Sequence, residues 1–278
     1  MHFKRLFIQI SSHGPVRFTL AISFLLYVRS EHCQSNQMTD HCHNVEKVET
    51  SEGQAQVENG RIGQLETDNS LAVVLYREED VLPLNKRQRS FRYCQHDINI
   101  VQNWSGLGVA AVVWDAAEVL AEYLETNPGI VKDKSVIELG AGTGLVGIVA
   151  ALLGARVTIT DREEVIDYLR KTVETNLPTD YLEDTDVVAL DWTKDINIDK
   201  PLFDVILGAD IVYIEEVFED LLKTLIVLCR PNTVIYLSCR IRYKRDNNFL
   251  DKLEESFVVT KILYDKTKDV NLFKVIKR

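Results

Sequence analysis

Gly140, Gly142 and Gly144 stand in the run Glu138-Leu-Gly-Ala-Gly-Thr-Gly144, directly after the short apolar stretch Ser135-Val-Ile. Lacking Cβ atoms, they allow a tight turn and a close approach of backbone to a ligand. A helix beginning near Thr143 would aim its free N–H groups at the same place. Asp161, about twenty residues on, closes the apolar run Arg156-Val-Thr-Ile-Thr, where a carboxylate can accept hydrogen bonds from both hydroxyls of a ribose. The chemistry these residues point to is the gripping of a nucleoside.

Spacing alone leaves the nucleoside open. Gly142-Thr-Gly144-Leu-Val-Gly147 also satisfies the dinucleotide fingerprint G-x-G-x-x-G, to which a later acidic residue belongs as well. Glu138 would attract the ammonium end of a methionine, as in S-adenosylmethionine, and would repel a pyrophosphate; its plainer reading is a polar residue ending a strand. In Leu190-Asp191-Trp192 the indole could pack on an adenine ring or fill the core. A hydride-transfer enzyme would also need an acid/base residue. Tyr264-x-x-x-Lys268 has suitable spacing, but it falls in a charged loop, and the glycine run lacks T-G-x-x-x-G-x-G.

The elements that would position these residues alternate. Phe91 to Val101 places FRYC and INIV around His96-Asp97 and suggests a hairpin. Val112 to Glu125 sets Ala116, Leu120 and Leu124 four apart, an amphipathic helix ended by Asn127-Pro-Gly. Strands are then expected at Ser135–Leu139, Arg156–Thr160, Asp186–Leu190, Phe203–Gly208 and Thr233–Ser238, with helices at Leu145–Leu153, Glu163–Asn176 and Glu215–Leu228. Strands rich in Val and Ile on both faces, separated by helices, imply an α/β protein with a mostly parallel sheet covered on both sides. Phe257–Ile262 and Asn271–Ile276 have only a polar loop between them, so they form an antiparallel hairpin at the edge.

Composition removes several function classes. The 278 residues carry a net charge of -10, so no chain-wide positive field exists to bind nucleic-acid phosphates. All six histidines lie within the first 96 residues, which leaves the remainder without an imidazole base, triad member or metal ligand. The five cysteines are widely spaced, include no CxxC, and read as free thiols of a reducing compartment.

Residues 1 to 68 are of another kind. Phe18 to Val28 is apolar and follows Lys4, Arg5 and Arg17, like the apolar core of a signal peptide. Its length falls short of the roughly 17–25 residues that span a bilayer, so no stable membrane insertion is expected. The polar stretch from Glu31 to Ser70 is expected to be disordered. Its His32-Cys33 and His41-Cys42-His43 fit no standard zinc spacing. The globular domain is placed at 69–278.

Beyond spacing, the run from Val136 to Ala155 resembles the cofactor motif of the seven-stranded methyltransferases. More narrowly, it is similar to the methyltransferase-like protein-lysine methyltransferases, in particular the branch that modifies heat-shock chaperones of the seventy-kilodalton class. Further matches are Gly108-Val-Ala-Ala-Val-Val-Trp-Asp-Ala, Val157-Thr-Ile-Thr-Asp161, Ile206-Leu-Gly-Ala-Asp-Ile-Val-Tyr213 and the block from Cys239 to Leu250. The resemblance runs from about Leu71 to the C-terminus. It implies a Rossmann-like fold with strand order 3-2-1-4-5-7-6 and S-adenosyl-L-methionine as cofactor. By the same resemblance Trp114, Gly140, Ala141, Gly142, Asp161, Trp192 and Ala209 line the cofactor pocket, joined by Glu138 from the residue reading, and Asp210 and Tyr213 stand where a target lysine enters. The implied enzyme is a cytosolic monomer acting on a chaperone. Arg240, Arg242 and Arg245, which follow the fifth strand on the substrate side, could pair with carboxylates of a protein partner or form a solvated loop. The Asn/Asp-Pro-Pro-Tyr motif of amino-group nucleic-acid methylases is absent. Small-molecule methylation and a non-catalytic docking module are the other readings.

Overall fold

The computed structural model describes residues 82–196 and 203–278. The 1–68 extension, its apolar segment 18–28, the His/Cys pairs and the expected onset of globular pattern at Leu71 lie outside the described residues. Among the described residues no helix is long and apolar enough to cross a membrane.

Among the described residues the first strands form a separate two-stranded hairpin, β1 (Gln88–Tyr93) and β2 (His96–Val101). Its turn is Cys94-Gln95, with φ of 52° and 65°. Two consecutive left-handed residues give a turn whose twist matches that of the flanking strands. His96 and Asp97 consequently belong to β2 instead of separating the strands, with Tyr93 paired to His96.

A short helix, α1 (Trp104–Leu107), precedes α2 (Asp115–Thr126). The helix starts three residues later than the apolar spacing indicates, because other groups hold the backbone of Val113. Its N–H donates to Gln102 Oε1 at 2.9 Å, and its carbonyl accepts from Arg89 Nη1 at 3.1 Å. Trp114 therefore stays extended, and Asp115 and Glu118 occupy the first turn, where carboxylates suit the helix dipole.

The remaining elements are β3 (Ser135–Leu139), α3 (Leu145–Leu152), β4 (Arg156–Asp161), α4 (Glu163–Asn176), α5 (Thr179–Leu182), β5 (Thr185–Ala189), β6 (Phe203–Ala209), α6 (Phe218–Leu228), β7 (Cys229–Cys239), α7 (Lys244–Ser256), β8 (Phe257–Asp265) and β9 (Val270–Lys277). They build a seven-stranded sheet in the order β5-β4-β3-β6-β7-β9-β8. This is the 3-2-1-4-5-7-6 order counted within the sheet. The first five strands of that order are parallel, and β9 runs antiparallel to both β7 and β8, so the closing hairpin occupies one edge.

Alternation along the strands divides the core between the two faces. Val136, Val205, Leu207 and Tyr236 pack with α2, α3 and α4. Ile137, Leu139, Ile206, Ile235 and Leu237 pack with α6 and α7. Fully burying one such side chain contributes about 1.5–3 kcal/mol, so both faces are strongly specified. On α4 the buried positions Val165, Ile166, Leu169, Thr172 and Val173 form one helical stripe.

Two further elements depart from the sequence reading. The strand expected at Thr233 begins at Cys229, because an irregularity in the β6–β7 register accommodates Pro231, and Thr233 Oγ1 bridges it by accepting from the Arg230 amide and donating to the Phe203 carbonyl. Helix α7 carries Asn, Asp and charged residues in its first turns and gives little propensity signal. Buried Asp246 secures its start by accepting from the amides of Arg242 and Tyr243, while Phe249 and Leu253 anchor it to the core.

Candidate functional site

The glycine turn lies between β3 and α3, at the carboxyl end of the sheet. Gly140, Gly142 and Gly144 have φ of 60°, 55° and 76°. The need for glycine at 142 is also steric: a Cβ there would lie 2.6 Å from the Ala110 carbonyl oxygen. The turn is tied to its neighbour strand by the bond from the Ala141 amide to the Thr160 carbonyl, 2.9 Å, and by Thr160 Oγ1 donating to the Glu138 carbonyl, 2.6 Å.

Both expected carboxylates converge on this turn. Asp161 Oδ2 accepts from the Gly142 amide at 2.7 Å and Oδ1 accepts from the Arg162 amide at 2.7 Å. Burial raises its pKa, against the pull of the two amides. Glu138 is 2% exposed, and its Oε2 accepts from the Gly147 amide, 2.8 Å away in the first turn of α3. Desolvation pushes its pKa up to about 8; the Gly147 hydrogen bond opposes the rise and the nearby Asp161 charge adds to it. Glu138 thus serves the fold as a helix cap, which the strand-end position alone does not reveal.

Of the two candidate tryptophans, Trp192 borders the turn, whereas Trp114 lines a cavity with Asp210. Trp192, half-buried after β5, places Cζ2 3.2 Å from where a Cβ on Gly140 would stand, and Ile211 Cγ2 is 2.9 Å from the same point. A side chain at 140 would therefore collide with the isoleucine and press on the indole, so this packing requires glycine. Trp114, also half-buried, is fixed by Nε1 donating to the Val109 carbonyl at 3.0 Å.

Ala209 is the last residue of β6, and Asp210 follows with a left-handed φ of 54°. The Asp210 amide donates to the Ser238 carbonyl at 2.7 Å. Its side chain receives both ends of a guanidinium, Arg242 Nη1 to Oδ1 at 3.1 Å and Nη2 to Oδ2 at 2.9 Å. Asp210, Arg242, Arg240 and Trp114 line one cavity of about 190 Å³. Tyr213 is 39% exposed; burial of its hydroxyl raises its pKa, with Arg162 lowering it and Asp161 and Asp210 raising it. The phenol thus lies in the electrostatic reach of both the turn and Asp210.

The expectation that three arginines await a partner is corrected in part. Arg242 is paired with Asp210, and Arg240 with Asp115 at 3.0 Å and Asp269 at 3.7 Å. Arg245 lies over the Tyr243 ring, 4.7 Å from its centroid, and beside Asp246. Each has an acceptor or ring within the chain. Sequence reasoning did not identify Ile211 beside Gly140, Gln102 as the acceptor for the Val113 amide, or Arg242 as the partner of Asp210. Ile211 and Arg242 lie in blocks that carry the family resemblance, but only contact across the fold reveals what they touch.

Residues 93–256 match the lysine methyltransferase family. The mouse protein N-lysine methyltransferase METTL21A is 50% identical over 212 residues, covering 75% of this chain and 97% of the relative. The chain belongs to the lysine methyltransferase family. METTL21A of Xenopus tropicalis is 49% identical over 73% of this chain and 96% of that protein. A second kind of relative, the mouse EEF1A lysine methyltransferase 3, is 41% identical over 68% of this chain and 82% of that protein. Family membership resolves the ambiguity of the glycine fingerprint: the nucleoside is S-adenosyl-L-methionine, and the enzyme is a methyltransferase.

Proposed function

We propose that this chain methylates a lysine side chain of a heat-shock chaperone of the seventy-kilodalton class, in the cytosol and as a monomer, with residues 69–278 as the catalytic unit. The observation that carries the site assignment is the placement of Asp210 at the end of β6, in one cavity wall with Trp114. The chaperone assignment rests on the sequence resemblance; the METTL21A relative is also matched more fully than the one named for EEF1A.

The residues present fit the cofactor. Asp161 spends two acceptor positions on amides and retains about two more, enough for the hydroxyls of a ribose. Gly140, Ala141 and Gly142 carry little or no side chain, Trp192 and Trp114 supply flat apolar surfaces, Ala209 adds little bulk, and Glu138, largely protonated near neutral pH, gains negative charge toward an ammonium on losing its proton. When bound, S-adenosylmethionine supplies a methyl carbon on sulfur that is already an activated leaving group.

The protein therefore has chiefly to align an amine and exclude water, and such positioning contributes several kcal/mol, up to about 7–11 in the most favourable cases. A free lysine has a pKa near 10.4 and attacks only when neutral, so it must lose a proton on entering the site. Asp210 accepts a hydrogen bond from the entering nitrogen and Tyr213 fixes its direction. The cavity of about 190 Å³ suits an extended side chain better than a whole nucleoside, whose sites run upward of about 300 Å³.

The test is to incubate the purified chain and labelled S-adenosylmethionine with a purified seventy-kilodalton chaperone and, separately, with elongation factor 1A. Label on the chaperone alone is expected. Label on the elongation factor alone would replace the substrate while keeping the chemistry.

A further inference from the structure

The site contains a cation that the reaction described above does not use. Arg242 reaches Asp210 across 32 residues of sequence with both terminal nitrogens, at 3.1 and 2.9 Å. A planar guanidinium meeting both oxygens of a carboxylate is the strongest form of this pairing and fixes orientation as well as distance. Both ends are held in place. The Arg242 amide is bonded to Asp246 Oδ2 at 2.8 Å, and the Asp210 amide to the Ser238 carbonyl at 2.7 Å. The Asp210 side chain is 8% exposed and that of Arg242 30%, so the pair is shielded but reachable from the cavity it lines.

An unpaired carboxylate would hinder the chemistry assigned to Asp210. It attracts a lysine ammonium, but it also stabilises the charged form, which cannot attack. A carboxylate already neutralised by a fixed guanidinium still has lone pairs to accept an N–H, without presenting net negative charge.

We propose that Arg242 is a positioning residue for methyl transfer: it fixes the Asp210 carboxylate in one orientation and cancels its charge, so that the target lysine meets a neutral pair and deprotonates at lower pH. This rests on the reading of Asp210 as the contact for the lysine. The ammonium gives its proton to water, and the amine lone pair then forms the N–C bond as the C–S bond breaks, its electron pair staying on sulfur.

The other charges facing this pair do not replace Arg242. Arg240, on the far side of the cavity, is matched by Asp115 from α2 and Asp269 from the β8–β9 turn. Lys268 in that turn is matched by Glu118 and Glu122. Asp246 at the start of α7 gives Oδ2 to two backbone amides, and Arg245 stands beside its other oxygen. Cys239 at the end of β7 is buried, and burial pushes its thiol up to about 12, so it stays neutral. Asp161 and Arg162 act on the Tyr213 side.

The experiment compares the full-length wild type with R242Q and R242K by kcat from about pH 6 to 10, which reports groups in the enzyme–substrate complex. Purified chaperone and lysate protein serve as acceptors, with S-adenosylhomocysteine affinity as the check on the fold. R242Q is expected to bind S-adenosylhomocysteine within about twofold of wild type, lose roughly tenfold in kcat near neutral pH, and recover most of it about one pH unit higher. R242K keeps the charge but cannot form the fork; it should keep the wild-type pH limb while losing several-fold in kcat, and it decides the matter if R242Q fails to bind the product. A R242Q loss that is uniform across pH, or a R242K enzyme with unchanged kcat, overturns the proposal. A wild type inactive on every acceptor would remove the parent reading as well, and is distinguished because it appears without any substitution.

Discussion

Asp161 Oδ2 accepts a 2.7 Å hydrogen bond from the Gly142 amide, nineteen residues earlier in the chain. This bond joins the tip of β4 to the turn after β3, so the residue assigned to the ribose also shapes the turn beneath it. Its other oxygen takes the Arg162 amide, which fixes the carboxylate plane before any ligand arrives.

Replacing Asp161 by Ala should therefore weaken cofactor binding twice over, through lost ribose contacts and a loosened turn. Titration calorimetry with S-adenosylhomocysteine is expected to show affinity falling by about 100-fold, two charge-assisted bonds at about 1.5 kcal/mol each. An affinity within threefold of wild type would place the ribose elsewhere.

Gly142→Ala puts a Cβ 2.6 Å from the Ala110 oxygen at a φ of 55°. Left-handed strain alone costs about 1–3 kcal/mol, and the backbone clash adds to it. Thermal unfolding should shift down by roughly 5–10 °C for a domain of this size. An unchanged melting temperature would mean that the Ala110 segment moves aside freely.

Glu138 gives a pH dependence with a definite sign. Its pKa is raised from 4.5 to about 8 in the fold, so the native state holds a proton that the unfolded chain releases. Its contribution leaves stability untouched below about pH 4.5, lowers it progressively as pH rises toward 8, and is complete above that. Glu138→Gln should flatten this slope in denaturant titrations across the window. If the carboxylate also faces the cofactor's ammonium, wild-type binding near pH 7 should release a proton, seen by calorimetry in buffers of different ionisation enthalpy, and E138Q should not.

Asp210→Asn keeps a side chain that tolerates the left-handed backbone and removes the charge. Methyl transfer is expected to fall at least about 100-fold while S-adenosylhomocysteine binding persists, the mark of a group acting on the amine. Full turnover by this variant would reject the role.

Gln102 is 7% exposed; its Oε1 accepts from the Val113 amide, and its Nε2 donates to the carbonyls of Pro83 and Lys86. Gln102→Met leaves these backbone groups unpaired, at about 1–3 kcal/mol for each that water cannot reach. Hydrogen exchange of Val113 should accelerate, and cofactor affinity should drop because Trp114 follows it directly.

The periodicity of the chain was enough to place most elements, since a strand buried on both faces and a helix with one apolar stripe each leave a local pattern, and Ser135–Leu139 and Glu163–Asn176 coincide with the structure. It was not enough for α2, whose first expected turn is held extended by Gln102 and Arg89, nor for α7, whose polar start depends on Asp246 folding back. Glycines at the turn were likewise legible, because a missing Cβ is a local property.

By itself the sequence determined the alternation of strands and helices, the glycine turn and the acidic residues beside it, because each is written in neighbouring residues and short periods. Only the tertiary structure decided that Glu138 caps α3, that Trp192 and Ile211 both approach Gly140, and that Arg242 pairs with Asp210. Those relations join residues far apart in the chain, where burial and distance, not spacing, set the charge a side chain carries and what it can touch.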